Sequence, residues 1–286
     1  MRIAILGALG FLGRELSQNL ARLGHEVTGF TLHQPSVQPE SFFCRQVSSL
    51  KGREISPEDH FDIVINVAAR RSTKSYPLSD SMVRQFNFEI PREFIIRASG
   101  PGTLVVNAST YIQNFDGIDG NTVDAYGAGK QELTQFLMEE SETRGFKTLD
   151  LFLFTIYGTG DRPNHLVPSL ISATKSGEEI PLSQGHQLIN LIHVNDVVHN
   201  FINALSIQEQ FSYKRHFVWQ EEYFSVRSLV SSIESISGFK INCLWGERPY
   251  AGHEMFEPWS IPMSQLPSFE SRITLEQGIK ELWSKK

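Results

Sequence analysis

Ile3-Ala4-Ile5-Leu6-Gly7-Ala8-Leu9-Gly10-Phe11-Leu12-Gly13 runs four apolar residues straight into three glycines at a spacing of three. The apolar run is short, continuous and bounded by glycine, which predicts a strand buried on both faces. Beyond it, Leu12, Leu16, Leu20 and Leu23 recur at helical spacing and predict an amphipathic helix. Glycine spacing alone signals only a tight turn. Between a strand and a helix it predicts more, because a turn that brings backbone up to a pyrophosphate has no room for Cβ atoms. The free N–H groups at the positive end of the next helix then face the phosphates. Gly7, Gly10, Phe11, Leu12 and Gly13 are therefore read as a dinucleotide-binding turn.

Outward from this turn, short apolar runs alternate with longer amphipathic segments. Residues 27–30, 63–67, 104–107 and 149–154 repeat the buried-strand pattern, and Leu133, Phe136 and Leu137 share one face of a helix. This order predicts an α/β fold: a Rossmann doubly wound parallel sheet covered by helices on both faces. Pro91 interrupts the helical pattern of residues 82–98 and predicts a kink or a fresh helix start. After residue 160 the alternation loosens, and Pro163, Pro168, Pro181, Pro249, Pro258, Pro262 and Pro267 break the chain into short pieces. Residues 1–160 are thus read as the dinucleotide-binding domain and 161–286 as a smaller substrate-binding part, with a late helix near 195–206 packing back on the first domain.

The end of the second strand bears on the choice of dinucleotide. A carboxylate there holds the adenosine ribose hydroxyls of NAD, but this segment reads Val27-Thr28-Gly29-Phe30-Thr31-Leu32-His33. Thr31 stands where the acid is sought. Without that acid nothing repels a 2′-phosphate, and His33 or Arg14 is within sequence reach of one. NADP(H) is favoured, with NAD(H) the alternative.

Tyr126-Gly127-Ala128-Gly129-Lys130 sets a tyrosine and a lysine four apart, on one face of a helix. Such pairs are commonly surface neighbours. This one follows a strand ending Asn107-Ala108-Ser109-Thr110, precedes an amphipathic helix, and belongs to the half with the glycine turn. An ammonium near a phenol favours the phenolate, which suits Tyr126 to exchange a proton with a sugar hydroxyl or ketone. Thr110 or Ser109, at the carboxyl end of a central strand, is placed to hydrogen-bond the same oxygen. Gly127 and Gly129 weaken the helix start and suggest a close approach of backbone or cofactor.

Composition narrows the class. The 286 residues are 40% apolar and 20% charged, with a net charge of −6, which speaks against nucleic acid or an anionic membrane as partner. Two cysteines, Cys44 and Cys243, with no CxxC, speak against a disulfide scaffold or thiolate metal site and fit a cytoplasmic location. No stretch approaches the roughly twenty apolar residues of a membrane span. His60, His186, His199, His216 and His253 show no metal spacing and are read as surface or packing residues, and His193 as a structural hydrogen-bonder; no metal is expected.

Gly7/Gly10/Gly13, Asn66-Val67-Ala68-Ala69, Asn107-Ala108-Ser109-Thr110 and Tyr126-x-x-x-Lys130 resemble, in order and spacing, the extended short-chain dehydrogenase/reductases of the NAD-dependent epimerase/dehydratase family. The likeness continues through Tyr157-Gly158-Thr159-Gly160, Asn164-His165-Leu166-Val167-Pro168 and Ile192-His193-Val194-Asn195-Asp196-Val197. Within the family the chain looks most like the NDP-4-keto-6-deoxysugar reductases, such as the CDP-paratose and CDP-abequose synthases. The resemblance implies Tyr126 as general acid/base and Lys130 as holder of the nicotinamide ribose, with Thr110 as the Ser/Thr partner and Ser109 its understudy. It implies Ala68 and Ala69 along the cofactor path. Asn164, Leu166 and Arg248 would grip the diphosphate of a nucleotide-linked sugar. Helices 82–98 and 125–143 would pair into a homodimer interface.

Two departures stand out. Tyr111-Ile112-Gln113-Asn114 replaces the family's frequent Val-Tyr-Gly, and Ile189 replaces an arginine common before Ile-His-Val. The activity implied is hydride transfer from NADPH to a 4-keto carbon. The alternatives are a 4-epimerase with bound NAD and, from another class, a non-catalytic dinucleotide sensor. A 4,6-dehydratase needs an Asp-Glu pair where Tyr111-Ile112 stand.

Overall fold

The computed structural model describes residues 1–31, 39–46, 60–73, 76–206, 211–260, 264–267 and 269–285. The chain begins with β1 (Arg2–Leu6), α1 (Phe11–Arg22), β2 (Glu26–Thr31), β3 (Phe43–Gln46) and β4 (Ile63–Asn66). A long helical rod follows, made of α2 (Asp80–Arg84), a π turn (Gln85–Glu89) and α3 (Ile90–Ala98). Then come β5 (Leu104–Thr110), a 3-10 segment (Tyr111–Gly117), α4 (Ala125–Arg144), β6 (Lys147–Leu153) and β7 (Thr155–Tyr157). The rest holds α5 (Leu166–Ser176), β8 (Ile180–Leu182), β9 (Leu188–Ile189), β10 (Leu191–His193) and α6 (Val194–Ala204). It ends with β11 (Tyr213–Val218), β12 (Phe224–Ser225), α7 (Val226–Ser237), β13 (Cys243–Trp245) and α8 (Leu275–Ser284).

Seven strands form one parallel sheet in the order β11-β6-β5-β4-β1-β2-β3. The winding reverses at β1, so the crevice at the carboxyl ends of β1 and β4 is a topological switch point. The doubly wound α/β fold follows from how the strands divide their side chains. Ile3 and Ile5 point to the layer of α1 and α6, where Leu12, Leu16, Leu20, Val197 and Phe201 are buried. Ala4 and Leu6 point the other way, to Phe94 and Ile95 of α3 and Leu133, Phe136 and Leu137 of α4. Both faces of every central strand are covered, hence the unbroken apolar runs.

Differences from the sequence reading have local causes. Leu23 is 59% exposed, because α1 ends at Arg22 and the chain turns at Leu23 and Gly24. Pro91, by contrast, marks the fresh helix start expected of it, since α3 begins at Ile90. Lacking the N–H for an α turn onto Asn87, it sits in the first turn of α3, and the π turn carries the helix past it. Strands β3 and β11 had no apolar signature; they lie at the two sheet edges and carry polar residues such as Arg45 and Lys214. A third apolar cluster joins α5, α7 and α8 around Leu170, Leu229 and Ile279. No helix among the described residues is long and apolar enough to cross a membrane.

Candidate active site

The glycine turn lies at the switch point. Gly7 has φ +89, and its N–H donates to the Phe30 carbonyl at 2.8 Å. A Cβ on Gly7 would lie 2.8 Å from the Ala68 nitrogen, and one on Gly13 would lie 2.1 Å from the Gly7 carbonyl oxygen. These are backbone atoms with no room to yield. Gly10 begins α1 without any side-chain cap, and no acidic residue stands in the first turn. Phe11, Leu12 and Gly13 therefore offer their N–H groups to an anion. The cradle fits a dinucleotide pyrophosphate. Thr31 is the last residue of β2, with no carboxylate on it or on its strand neighbour Phe30; His33 lies outside the described residues. Ala68 and Ala69 follow β4 after Val67 and face this turn through Ala68.

Tyr126 and Lys130 sit in the first turns of α4, where Asp124 caps the helix by accepting the Gly127 N–H at 2.7 Å. A Cβ on Gly129 would meet the Asn87 Cβ at 3.3 Å and the Arg84 Cα at 3.5 Å, so this glycine lets α4 lie close against the α2 rod. Lys130 is almost wholly buried; its Nζ donates to the carbonyls of Ala108 at 2.7 Å and Ala68 at 3.0 Å. Burial pulls its ammonium down to about 8, against the opposing field of Asp150. The Thr110 side chain lies beside Tyr126 and lowers its pKa, and the Thr110 backbone N–H is held by the Gln113 side chain at 3.0 Å. Burial pushes the Tyr126 phenol up, while the Arg71 charge and the Thr110 side chain pull it down.

Ser109 is not on the Tyr126 side, which corrects its place as understudy. Successive strand residues face opposite ways, and Ser109 donates to Asp150 at 2.6 Å and contacts Thr134 of α4 at 3.1 Å. Asp150 is fully buried in β6 and also accepts from Asn107 at 2.8 Å, Thr134 at 2.8 Å and Tyr213 at 3.1 Å. Asn66 extends this polar row across β4 by donating to Asn107 at 2.7 Å.

Several residues that the sequence reading passed over come to the site. Arg71 follows β4, pairs with Asp124 at 2.8 Å, and lies 5.0 Å from the centre of the Tyr126 ring. His253, read as surface or packing, is 3.4 Å from the Arg71 guanidinium. Asn87, buried in the π turn, donates to the Arg70 carbonyl and accepts the Arg70 N–H at 2.7 and 3.1 Å, fixing the loop that carries Arg71. Tyr111 stacks on Phe154 at 4.7 Å and meets Trp259, so that position holds aromatic packing and no acid. Only Asp124 had a signal, as a capping residue ahead of a helix.

The second-half candidates are more scattered. Tyr157 is buried, and Gly158 packs against Val194 and His193, whose Nδ1 caps α6 by accepting the Asn195 N–H. Asn164 is exposed in the turn before α5, and Leu166 is the first residue of that helix, which has no side-chain cap. Arg248 is exposed, tied down by its backbone N–H to the Leu182 carbonyl at 3.0 Å; no hydrogen bond or ion pair joins its guanidinium to another described residue. Ile189 pairs with Phe224 between β9 and β12. Among the described residues no group of three or more His, Cys, Asp or Glu is arranged to hold a metal.

With this geometry in place, the model of the NAD dependent epimerase/dehydratase family matches residues 3–218. The chain belongs to that family. Membership makes it an NAD-dependent sugar-nucleotide enzyme of the epimerase/dehydratase class. A CDP-abequose synthase from Yersinia pseudotuberculosis is 26% identical over 269 residues, covering 90% of this chain and 92% of the relative. Protein CapI from Staphylococcus aureus is 24% identical, covering 69% and 67%. Among solved structures, MoeE5 with UDP-glucuronic acid and NAD superposes with a TM-score of 0.80 at 19% identity, covering 98% and 96%. A UDP-glucuronic acid 4-epimerase from Bacillus cereus gives 0.80 at 16%, covering 99% and 98%. These structures share the fold.

Proposed function

We propose that this family member is an oxidoreductase acting on a nucleotide-linked sugar, and that it reduces the 4-keto carbon of an NDP-4-keto-6-deoxyhexose. One observation carries the reading. Ala68 abuts Gly7 through its nitrogen and accepts from Lys130 through its carbonyl, so the dinucleotide cradle and the Tyr126 helix are anchored on a single residue. A nicotinamide dinucleotide held in that cradle supplies the hydride. Tyr126 gives a proton to the oxygen as it becomes an alkoxide, and Thr110 hydrogen-bonds the same oxygen as its charge grows. Lys130 holds the nicotinamide ribose. Asn164, Leu166 and Arg248 are assigned to the nucleotide diphosphate, supported by the uncapped start of α5 and the free Arg248 guanidinium.

The likeness to CDP-abequose synthase over 90% of the chain favours reduction. The 4-epimerases among the fold relatives keep epimerisation with bound NAD as the second reading. A reductase consumes NADPH stoichiometrically, whereas an epimerase returns its hydride. Purified protein is expected to oxidise NADPH when given a CDP- or dTDP-4-keto-6-deoxyhexose, and not to interconvert UDP-glucose and UDP-galactose at a comparable rate. Interconversion of UDP-glucose and UDP-galactose, with no NADPH loss on the keto sugars, would overturn the reductase reading.

Thr31 makes NADPH the expected cofactor. Thr31→Asp is expected to reverse the preference by repelling the 2′-phosphate. Calorimetry showing equal or tighter NADH binding by the wild type sinks this assignment. The proposal also includes a cytoplasmic homodimer. Its support is two free cysteines, with Met82 of α2 41% exposed and Met138 of α4 54% exposed on the two proposed pairing helices. Light scattering that finds a monomer at micromolar concentration refutes the dimer.

A further inference from the structure

Lys130 has two of its three N–H donors committed to backbone carbonyls and an ammonium pulled down to about 8. A second cation stands beside Tyr126. The Arg71 guanidinium lies over the phenol ring, 5.0 Å from its centre, and is held from two sides. Asp124 Oδ2 accepts from it at 2.8 Å, and His253 Nε2 is 3.4 Å away. A guanidinium only donates, so that ring nitrogen accepts and His253 is the neutral tautomer with its proton on Nδ1. Burial and the Arg71 charge both hold the His253 pKa down, in keeping with a neutral ring. Unlike the buried lysine, an arginine stays charged at every working pH.

We propose that Arg71 is a positioning residue for Tyr126: clamped between Asp124 and His253, its guanidinium is held against the ring as a fixed positive charge that favours the phenolate. The electron-rich face of a phenolate attracts the cation more strongly than that of a phenol. The arrangement joins three separate stretches of chain. Arg71 comes from the loop after β4, Asp124 from the cap of α4, and His253 from the second half. The charges that bear on Tyr126 are Arg71 and Asp124; Lys130 lies one helical turn along α4, and Tyr111 of the 3-10 segment feels Tyr126 in turn. Glu254 acts on Tyr111 and is itself within the field of Arg71. Of these, Asp124 opposes the phenolate and Arg71 promotes it. Asp124 therefore has two effects, fixing the helpful cation while adding an unhelpful anion.

The inference rests on Tyr126 as the proton donor, but its test needs no turnover. Protein made with a fluorinated tyrosine, whose lower intrinsic pKa brings the titration into the range where the fold is intact, is followed by ¹⁹F resonance. The Tyr126 signal is assigned by its loss in Tyr126→Phe. Arg71→Gln is expected to raise the Tyr126 midpoint by about one unit or more, the usual effect of removing an adjacent opposite charge. Arg71→Lys, which keeps the charge without the planar fork, is expected to fall between. Asp124→Asn keeps a capping side chain but removes the anion and loosens Arg71 together, two opposing effects, so its midpoint is expected to move less than that of Arg71→Gln. A midpoint unmoved in Arg71→Gln overturns the proposal, whatever Asp124→Asn does and even if the enzyme reduces keto sugars as expected. Conversely, failure to oxidise NADPH with any keto sugar defeats the reductase reading and leaves this titration standing.

Discussion

Tyr126→Phe is expected to abolish nearly all turnover, by about a hundred-fold or more, while dinucleotide affinity stays within a few-fold. The substitution removes one oxygen from a ring whose surroundings are otherwise fixed. Thr110 remains, held through its backbone by Gln113, and Lys130 keeps its bonds to Ala68 and Ala108. The Gly7 cradle contains no atom of Tyr126. Lys130→Met is expected to damage both turnover and affinity, because it also leaves the Ala68 and Ala108 carbonyls without their buried donor. Steady-state kinetics for turnover and calorimetry for the dinucleotide separate the two effects. Substantial activity in Tyr126→Phe means that the proton comes from elsewhere.

The fold was legible because its signal is local. An apolar run such as Ile3 to Leu6 needs only its own residues to declare a strand covered on both sides, and glycines at 7, 10 and 13 declare the turn beyond it. Thr110, Tyr126 and Lys130 could be proposed for the same reason: each sits at a fixed offset from an element end. The edge strands β3 and β11 were not, since an edge makes weaker demands on apolarity and Lys214-Arg215 reads as loop.

What escaped is long-range. The choice between Ser109 and Thr110 turned on Asp150, 41 residues from Ser109, which claims the serine hydroxyl. Arg71 and His253 are 182 residues apart and meet only in the folded chain. In sequence, Arg70-Arg71 is a pair of charges after a strand, and nothing local separates the one on the Tyr126 ring from the one lying over Tyr76. Asn87 looked like an ordinary helical residue until the π turn placed its amide against the Arg70 backbone. Leu23 failed in the other direction, since its spacing matched a helix that had already ended.

Asp150 yields the largest expected loss of stability. It is a carboxyl with no exposure to solvent in the middle of a sheet strand, a place ordinarily reserved for apolar side chains. Desolvation pushes its pKa up, and donors from Ser109, Thr134, Asn107 and Tyr213 pull it back. Every neighbour is turned to donate: Ser109 accepts a hydrogen bond from Asn107 and donates its hydroxyl to Asp150, and Thr134 accepts from Gln113 and likewise donates to Asp150. Asp150→Ala strands these donors around a cavity and removes the carboxylate whose field supports the buried Lys130 ammonium. Breaking a buried charged network in this way costs about 3–5 kcal/mol, which is a large part of a domain's stability of about 5–15 kcal/mol. Asp150→Asn keeps the shape and one acceptor oxygen but turns an amide donor toward other donors, so it is expected to cost less and still be plainly destabilising. Urea unfolding of both variants measures the losses. A change below about 1 kcal/mol in Asp150→Ala, within the ordinary range for a surface substitution, would show that water replaces the carboxylate at little cost and that this polar row is not what holds β4, β5, β6 and β11 in register.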